Sequence, residues 1–247
     1  MLLFPASYCG RRIGGFVFWL SPWLVMLLML SCSTPPAPTA QPTPDAQALL
    51  RKATSRMLAL ESLSFVLEHR AGSTELFPGV EMTRASGVVD IPDDFSVTVE
   101  AQSANPRAYI EFSAVSVGGR AYMTDFFTGR WRQVKVESLP VNLGRLGATL
   151  AGIIASVESS QAVGTEVLSG HETVVITGQI QSQVLAGLVP GAARGYNVGL
   201  ELWVEESQGL LVQALITGQV MAADAPATAR LLTFDGFDAP VDIAPPE

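Results

Sequence analysis

The sequence predicts an α+β domain built on one large antiparallel sheet. Apolar residues recur at helical spacing from Ala46 to Leu60, a period of two then runs from Leu63 to Val136 and returns after Ala162, and turn residues punctuate both strand fields. Around ten strands in a single sheet should curl rather than lie flat. A curled sheet with helices along its hollow makes a cleft.

The chain opens with an address. Arg11 to Cys32, RRIGGFVFWLSPWLVMLLMLSC, sets two arginines before an apolar run that ends abruptly, the layout of a secretory signal over residues 1–31. Its end, Met29-Leu30-Ser31-Cys32, resembles the lipobox of bacterial lipoproteins, which implies cleavage before a lipidated Cys32. An uncleaved anchor is the alternative, since Ile13 to Leu30 is almost long enough to span about 30 Å of hydrocarbon. Either reading tethers the protein to the outer side of the cell membrane. Residues 32–44 are Pro-rich without periodicity and read as an extended tether, and 45–247 as a single domain.

Loss of residues 1–31 would remove Arg11 and Arg12 and no acid, taking the net charge from −8 to −10, so a nucleic-acid partner is excluded. The two cysteines are Cys9 and Cys32, which leaves 45–247 without a thiol for a disulfide, a redox pair or a zinc site. The domain is expected to be a monomer.

Asp45 offers an N-cap oxygen, and Ala46, Leu49, Leu50, Ala53, Met57 and Leu60 form one helical face. Leu63, Phe65 and Leu67, then Phe95, Val97 and Val99, alternate with polar residues as half-buried strands do. Pro92-Asp93-Asp94, Gly118-Gly119 and Thr128-Gly129 mark turns, the Gly pair fitting a two-residue hairpin. Asn142 to Ser159 returns to helical spacing with glycines inside it, which suits either a lid or a core helix in close contact. Five further strands follow at 163–168, 172–180, 198–205, 210–220 and 228–234, with a short helix over 182–189.

Ser64 to Glu68, Ala85-Ser86-Gly87-Val88-Val89, Val117 to Tyr122 running into Thr128-Gly129-Arg130-Trp131, Gly164 to His171, Leu202-Trp203-Val204 before Gly209-Leu210, and the closing Pro240-Val241 and Pro245-Pro246 resemble, in order, the LppX/LprAFG family of bacterial envelope lipoproteins. The resemblance spans essentially the whole of 45–247. It implies a half-barrel sheet with helices on its concave side, similar to the periplasmic lipoprotein carriers, and an apolar cavity for the acyl chains of lipids or glycolipids. It further implies exchange with a donor or acceptor membrane or membrane protein.

Catalytic machinery is scarce. His69 and His171 stand alone, no GxSxG elbow occurs, and Asp93-Asp94 and Glu205-Glu206 flank turns where carboxylates are ordinary. No enzyme activity, cofactor or metal is expected. Trp131 and Trp203 read as core. Because period two separates the faces of a sheet, the ligand-binding, cavity-facing candidates are Phe65, Leu67, Phe95, Val97, Val99, Ile110, Phe112, Ala114, Val174, Ile176, Leu202, Val212, Ala214 and Ile216, with Leu200 and Val204 on the same face. The resemblance, taken with these patterns, implies a membrane-tethered lipid-binding and lipid-transfer lipoprotein. The alternative is an envelope regulator or scaffold that binds a protein with the same half-barrel.

Overall fold

The computed structural model describes residues 44–126, 128–139 and 142–247. The expected signal peptide, Cys32 and the tether as far as Thr43 lie outside the described residues. The described residues belong to one compact unit.

Helix α1, Ala46–Leu58, starts where expected: Asp45 Oδ1 accepts from the backbone N–H of Gln47 at 3.0 Å and Ala48 at 3.2 Å, satisfying two of the donors that a helix start leaves unpaired. Its buried face is Ala46, Leu49, Leu50, Ala53 and Met57. Two cations flanking that face fasten it to the turn at Glu206-Ser207 and to the segment at Asp238. Lys52 Nζ donates to the carbonyls of Glu206 at 2.7 Å and Ser207 at 2.6 Å, and Arg56 pairs with Asp238, whose other oxygen accepts from Glu61 N–H at 2.9 Å.

The sheet has twelve strands: β1 Ser62–Ala71, β2 Thr74–Phe77, β3 Val80–Asp90, β4 Asp94–Ala104, β5 Arg107–Val117, β6 Arg120–Thr124, β7 Trp131–Val134, β8 Glu158–Leu168, β9 His171–Gln181, β10 Asn197–Glu205, β11 Leu211–Thr217 and β12 Ala229–Asp235. The order β7-β6-β5-β4-β3-β1-β12-β11-β10-β9-β8 describes two meanders joined at their centre, with β2 paired to β3 outside this path. The joint is the antiparallel pair β1 and β12, in register from Ser64 opposite Asp235 to His69 opposite Arg230. This is the curled antiparallel sheet that the strand count predicts, and the α+β half-barrel that the family resemblance implies.

Several boundaries differ from the sequence reading. The four residues of β2 are too few to establish a period, so they carried no signal. The expected helix over 142–159 is a 3-10 turn, Leu143–Arg145, followed by α2, Leu146–Ala155; Glu158 already pairs with Gln179, so the chain's end enters β8. The short helix over 182–189 is a 3-10 turn, Ser182–Gly187. Strand β11 stops at Thr217 because Gly218 takes φ +129. The Gly118-Gly119 hairpin has positive φ at both residues, as the sequence required. Among the described residues no helix is long and apolar enough to cross a membrane.

The two helices pack on each other, α1 touches β8 and β10, and both helices share a core with residues of β9 to β11. Glycine makes that contact short: a Cβ on Gly147 would come 2.6 Å from the Met57 carbonyl oxygen, whereas one on Gly152 of the same helix would meet nothing within 4 Å. Gly147→Ala should therefore destabilise by about 1–3 kcal/mol through forced separation of the helices. Gly152→Ala should stabilise by about 0.5–1 kcal/mol through helix propensity. Urea midpoints at unchanged m-value would check both, and equal shifts in one direction would contradict this packing.

Candidate functional site

The concave face is filled at one end and hollow at the other. Under α1 and α2, Val174, Ile176, Leu200, Leu202, Val204 and Ala214 close into one core with Leu49, Leu50, Met57, Leu150 and Ile154. Beneath the first meander and the central strands the sheet meets the 3-10 turn Leu143–Arg145 and the start of α2 rather than a full helix, and a cavity of about 280 Å³ remains. The sheet supplies Phe65, Leu67, Met82, Ala85, Phe95, Val97, Val99, Phe112, Ala114, Met123, Ile216, Leu232 and Phe234 to it. Across from them stand Leu139, Leu143 and Leu146, the loop residues Leu188, Val189 and Pro190, Met221, and Leu76 of β2.

Local sequence explains the hollow. On β3 the concave positions are Ala85 and Gly87, where larger side chains would fill the floor; a Cβ on Gly87 would come 3.0 Å from the Phe65 ring. That ring lies over β3 in the space so released. At one side the edge-on pairs Phe112–Phe126 at 4.8 Å and Phe77–Phe126 at 5.5 Å form an aromatic rim.

Eight of the fourteen sequence candidates line this cavity: Phe65, Leu67, Phe95, Val97, Val99, Phe112, Ala114 and Ile216. Six do not. Val174, Ile176, Leu202 and Ala214 are in the filled core, because the helices cover their half of the sheet. Ile110 lies near the β4–β5 hairpin end and is half-buried outside the lining. Val212 sits in a β-bulge: Trp203 faces Gln213 but Val204 faces Leu211, so Leu211 takes the core position that strict alternation assigned to Val212. The tryptophans also differ from expectation. Trp203 is on the outer face, half-buried, with Nε1 donating to Glu166 Oε2 at 2.8 Å, and Trp131 is half-buried on the edge strand β7.

One end of the cavity is polar. Arg230 shares the alternation of Leu232 and Phe234 and is 1 % exposed. Its Nε donates to Thr74 Oγ1 at 2.9 Å, and its Nη2 lies 2.7 Å from Asp224 Oδ2 in a buried salt bridge. Asp224 is fixed in turn, since Oδ2 also accepts from the N–H groups of Val220 and Met221, both at 2.9 Å. Thr74 Oγ1 reaches His69 Nε2 at 2.8 Å, and His69 faces Arg230 across the central pair. Thr74 and Arg230 line the cavity, and exposed Glu75 borders it. The sequence did hold a signal for this end: in Arg230-Leu231-Leu232-Thr233-Phe234 a charge occupies the apolar alternation, and a buried guanidinium needs partners.

The remaining candidates for chemistry are spoken for locally. His171 Nδ1 is 3.5 Å from Glu205 Oε2, and Asp94 Oδ1 accepts from Gly118 N–H at 3.0 Å in a hairpin turn. Among the described residues no group of three or more His, Cys, Asp or Glu side chains could hold a metal ion.

The sequence profile of the LppX_LprAFG lipoprotein family matches residues 45–243. The chain belongs to the LppX/LprAFG lipoprotein family. Within the family's reach, it is 23% identical over 211 residues to the lipoarabinomannan carrier protein LprG of Mycobacterium tuberculosis, covering 82% of this chain and 83% of LprG. The crystal structure of LprF from Mycobacterium bovis is similar with a TM-score of 0.63 at 19% identity, over 81% of this chain and 96% of LprF. LppX of Mycobacterium tuberculosis gives 0.53 at 21% identity, over 81% and 100%. The family fold is thus the half-barrel seen here.

Burial, with the Arg230 guanidinium adding to it, pushes the His69 imidazole below its usual 6.5 against the opposite pull of Asp224 and Glu81. The unfolded chain therefore takes up this proton at higher pH than the folded one. Stability from this group is complete above about pH 6.5 and is lost as pH falls through the lower folded value. Between pH 7.5 and 5 the melting temperature should fall more steeply in the native protein than in His69→Gln, and parallel curves would show that His69 is not the linked group.

Proposed function

We propose that the protein is a membrane-tethered lipoprotein of the cell envelope that binds membrane lipids or glycolipids and transfers them, without covalent chemistry. The observation that supports this most is the cavity of about 280 Å³ between the sheet and the segments opposite it, bounded almost wholly by apolar side chains. Its size falls just below the range for small-ligand sites, about 300–1,000 Å³. Taking a methylene to fill about the space of a liquid water, ~30 Å³, it accommodates on the order of ten carbons of one chain. Each methylene transferred from water is worth about 0.8 kcal/mol, so a chain of that length has ample drive to enter. The carrier role named for LprG supports the same reading. A filled core would have favoured the alternative, an envelope regulator or scaffold that binds a protein partner with the same half-barrel.

The mechanism is a partition between two apolar phases. A chain leaves a bilayer or a partner protein, slides between the half-buried residues Leu76, Leu139, Leu188 and Met221, and comes to rest over β3 to β5. The headgroup stays outside. The tether from Cys32 to Pro44 keeps the mouth within reach of the membrane, and the protein acts as a monomer on the extracytoplasmic side.

Val97 is half-buried on the cavity wall. Val97→Trp should reduce copurified lipid severalfold while changing the stability of the lipid-free protein by less than about 1 kcal/mol, because the ring takes space otherwise open to ligand. Destabilisation of about 1–3 kcal/mol with lipid content unchanged would mark Val97 as ordinary core.

The anchor is tested separately. Cys32→Ala should leave the protein as an uncleaved precursor or move it out of the detergent phase, and unchanged mobility with unchanged partitioning would remove the lipid anchor from this account.

A further inference from the structure

We propose that Arg230 Nη1 is a hydrogen-bond donor to a neutral oxygen of the bound lipid, an acyl ester or amide carbonyl drawn into the cavity with its chain. This rests on the lipid-binding reading and gives that ligand a chemical feature that the apolar walls cannot select. Arg230 is 1 % exposed and lines the cavity; its Nε donates to Thr74 and its Nη2 is held in the ion pair with Asp224 Oδ2, while Nη1 and the other Asp224 oxygen, Oδ1, have no hydrogen-bond partner. A buried donor left unpaired is costly, and buried polar groups in proteins are paired in the great majority of cases. An acceptor that enters the hollow with the ligand would satisfy it.

Charge decides what kind of acceptor it is. Asp224 already balances the guanidinium at 2.7 Å, and is itself held by two backbone N–H groups, so it cannot turn away to admit a second anion. His69 beside them contributes no compensating positive charge while it is neutral. A carboxylate or phosphate would add a net negative charge to a nearly dry site, whereas a carbonyl oxygen fills the vacant donor position and leaves the pair neutral. Two devices keep the guanidinium in place without ligand: Thr74 on β2 holds Nε, and the β11–β12 connection holds Asp224. The donor is therefore preorganised, and a ligand loses little in ordering it.

The test compares undecane, methyl decanoate and decanoate as probes on the delipidated full-length protein, reading the rise in melting temperature with probe concentration. The ratio of ester to alkane affinity, rather than either alone, cancels the different cost of removing each probe from water. Arg230→Met combined with Asp224→Asn removes both charges together, and the Asn carbonyl can still accept from Val220 and Met221. That ratio should fall about tenfold in the double variant. Should the double variant not fold, Arg230→Lys, whose single nitrogen stays with Asp224, should show the same fall. An unchanged ratio in the folded variant, or decanoate binding the native protein better than the ester, would overturn the proposal and leave the cavity as a featureless apolar sleeve. If none of the three probes shifts the melting temperature of the native protein, it is the lipid-binding reading itself that fails.

Discussion

The interaction on which the rest depends is the packing of two short helices against one wide sheet. At 1.5 Å per residue, the 13 residues of α1 and 10 of α2 give rods of about 20 and 15 Å, while eleven neighbouring strands at about 4.8 Å spacing span nearly 50 Å. The two α-helices gather over the second meander, and it is the 3-10 turn Leu143–Arg145 with the start of α2 that reaches β3, β4 and the cavity. Yet apolar alternation continues across β3, β4 and β5, where helix cover is thin. Gly147 keeps the helices together by letting α2 settle onto the Met57 carbonyl. Hollow and core are thus two outcomes of the same sequence pattern, separated by the supply of helix.

That division explains what was legible in the residues and what was not. Strand alternation, the Asp45 cap and the Gly118-Gly119 hairpin are local, and each is where its sequence signal puts it. Facing was legible too: Phe65, Leu67, Val97, Phe112 and Ile216 do share the concave side. The choice between wall and core was not, because Val97 and Ile176 look alike along the chain and differ only in whether a helix from elsewhere reaches them. Val212 fails for another reason, since one inserted residue in a bulge shifts the alternation and leaves no mark in composition. Arg230 could have been found, as a charge in an apolar register, but its partners come from Thr74 and Asp224 and are set by topology.

Arg230, Asp224, Thr74 and His69 form a second kind of boundary. Moving along β12 from Phe234 to Arg230, the concave face passes from aromatic to aliphatic to charged within five residues. The polar groups are bonded mainly to one another and to backbone, so they form a wall with fixed geometry instead of a wet margin. A chain that advances along the hollow meets this wall and can go no further without matching it.

The seam between β1 and β12 has a consequence for how the chain tolerates shortening. In most sheets a terminal strand lies at an edge, and losing it trims the structure. Here Phe65 is opposite Phe234, so the first and last strands of the domain meet in the middle, and the hydrogen-bonded path from one meander to the other runs through them. Removing β12 would not shorten the sheet but cut it into two unequal pieces and take Leu232 and Phe234 out of the wall of the hollow. The two ends of the domain are its keystone, and its permissive sites for insertion are to be sought at hairpins far from either end.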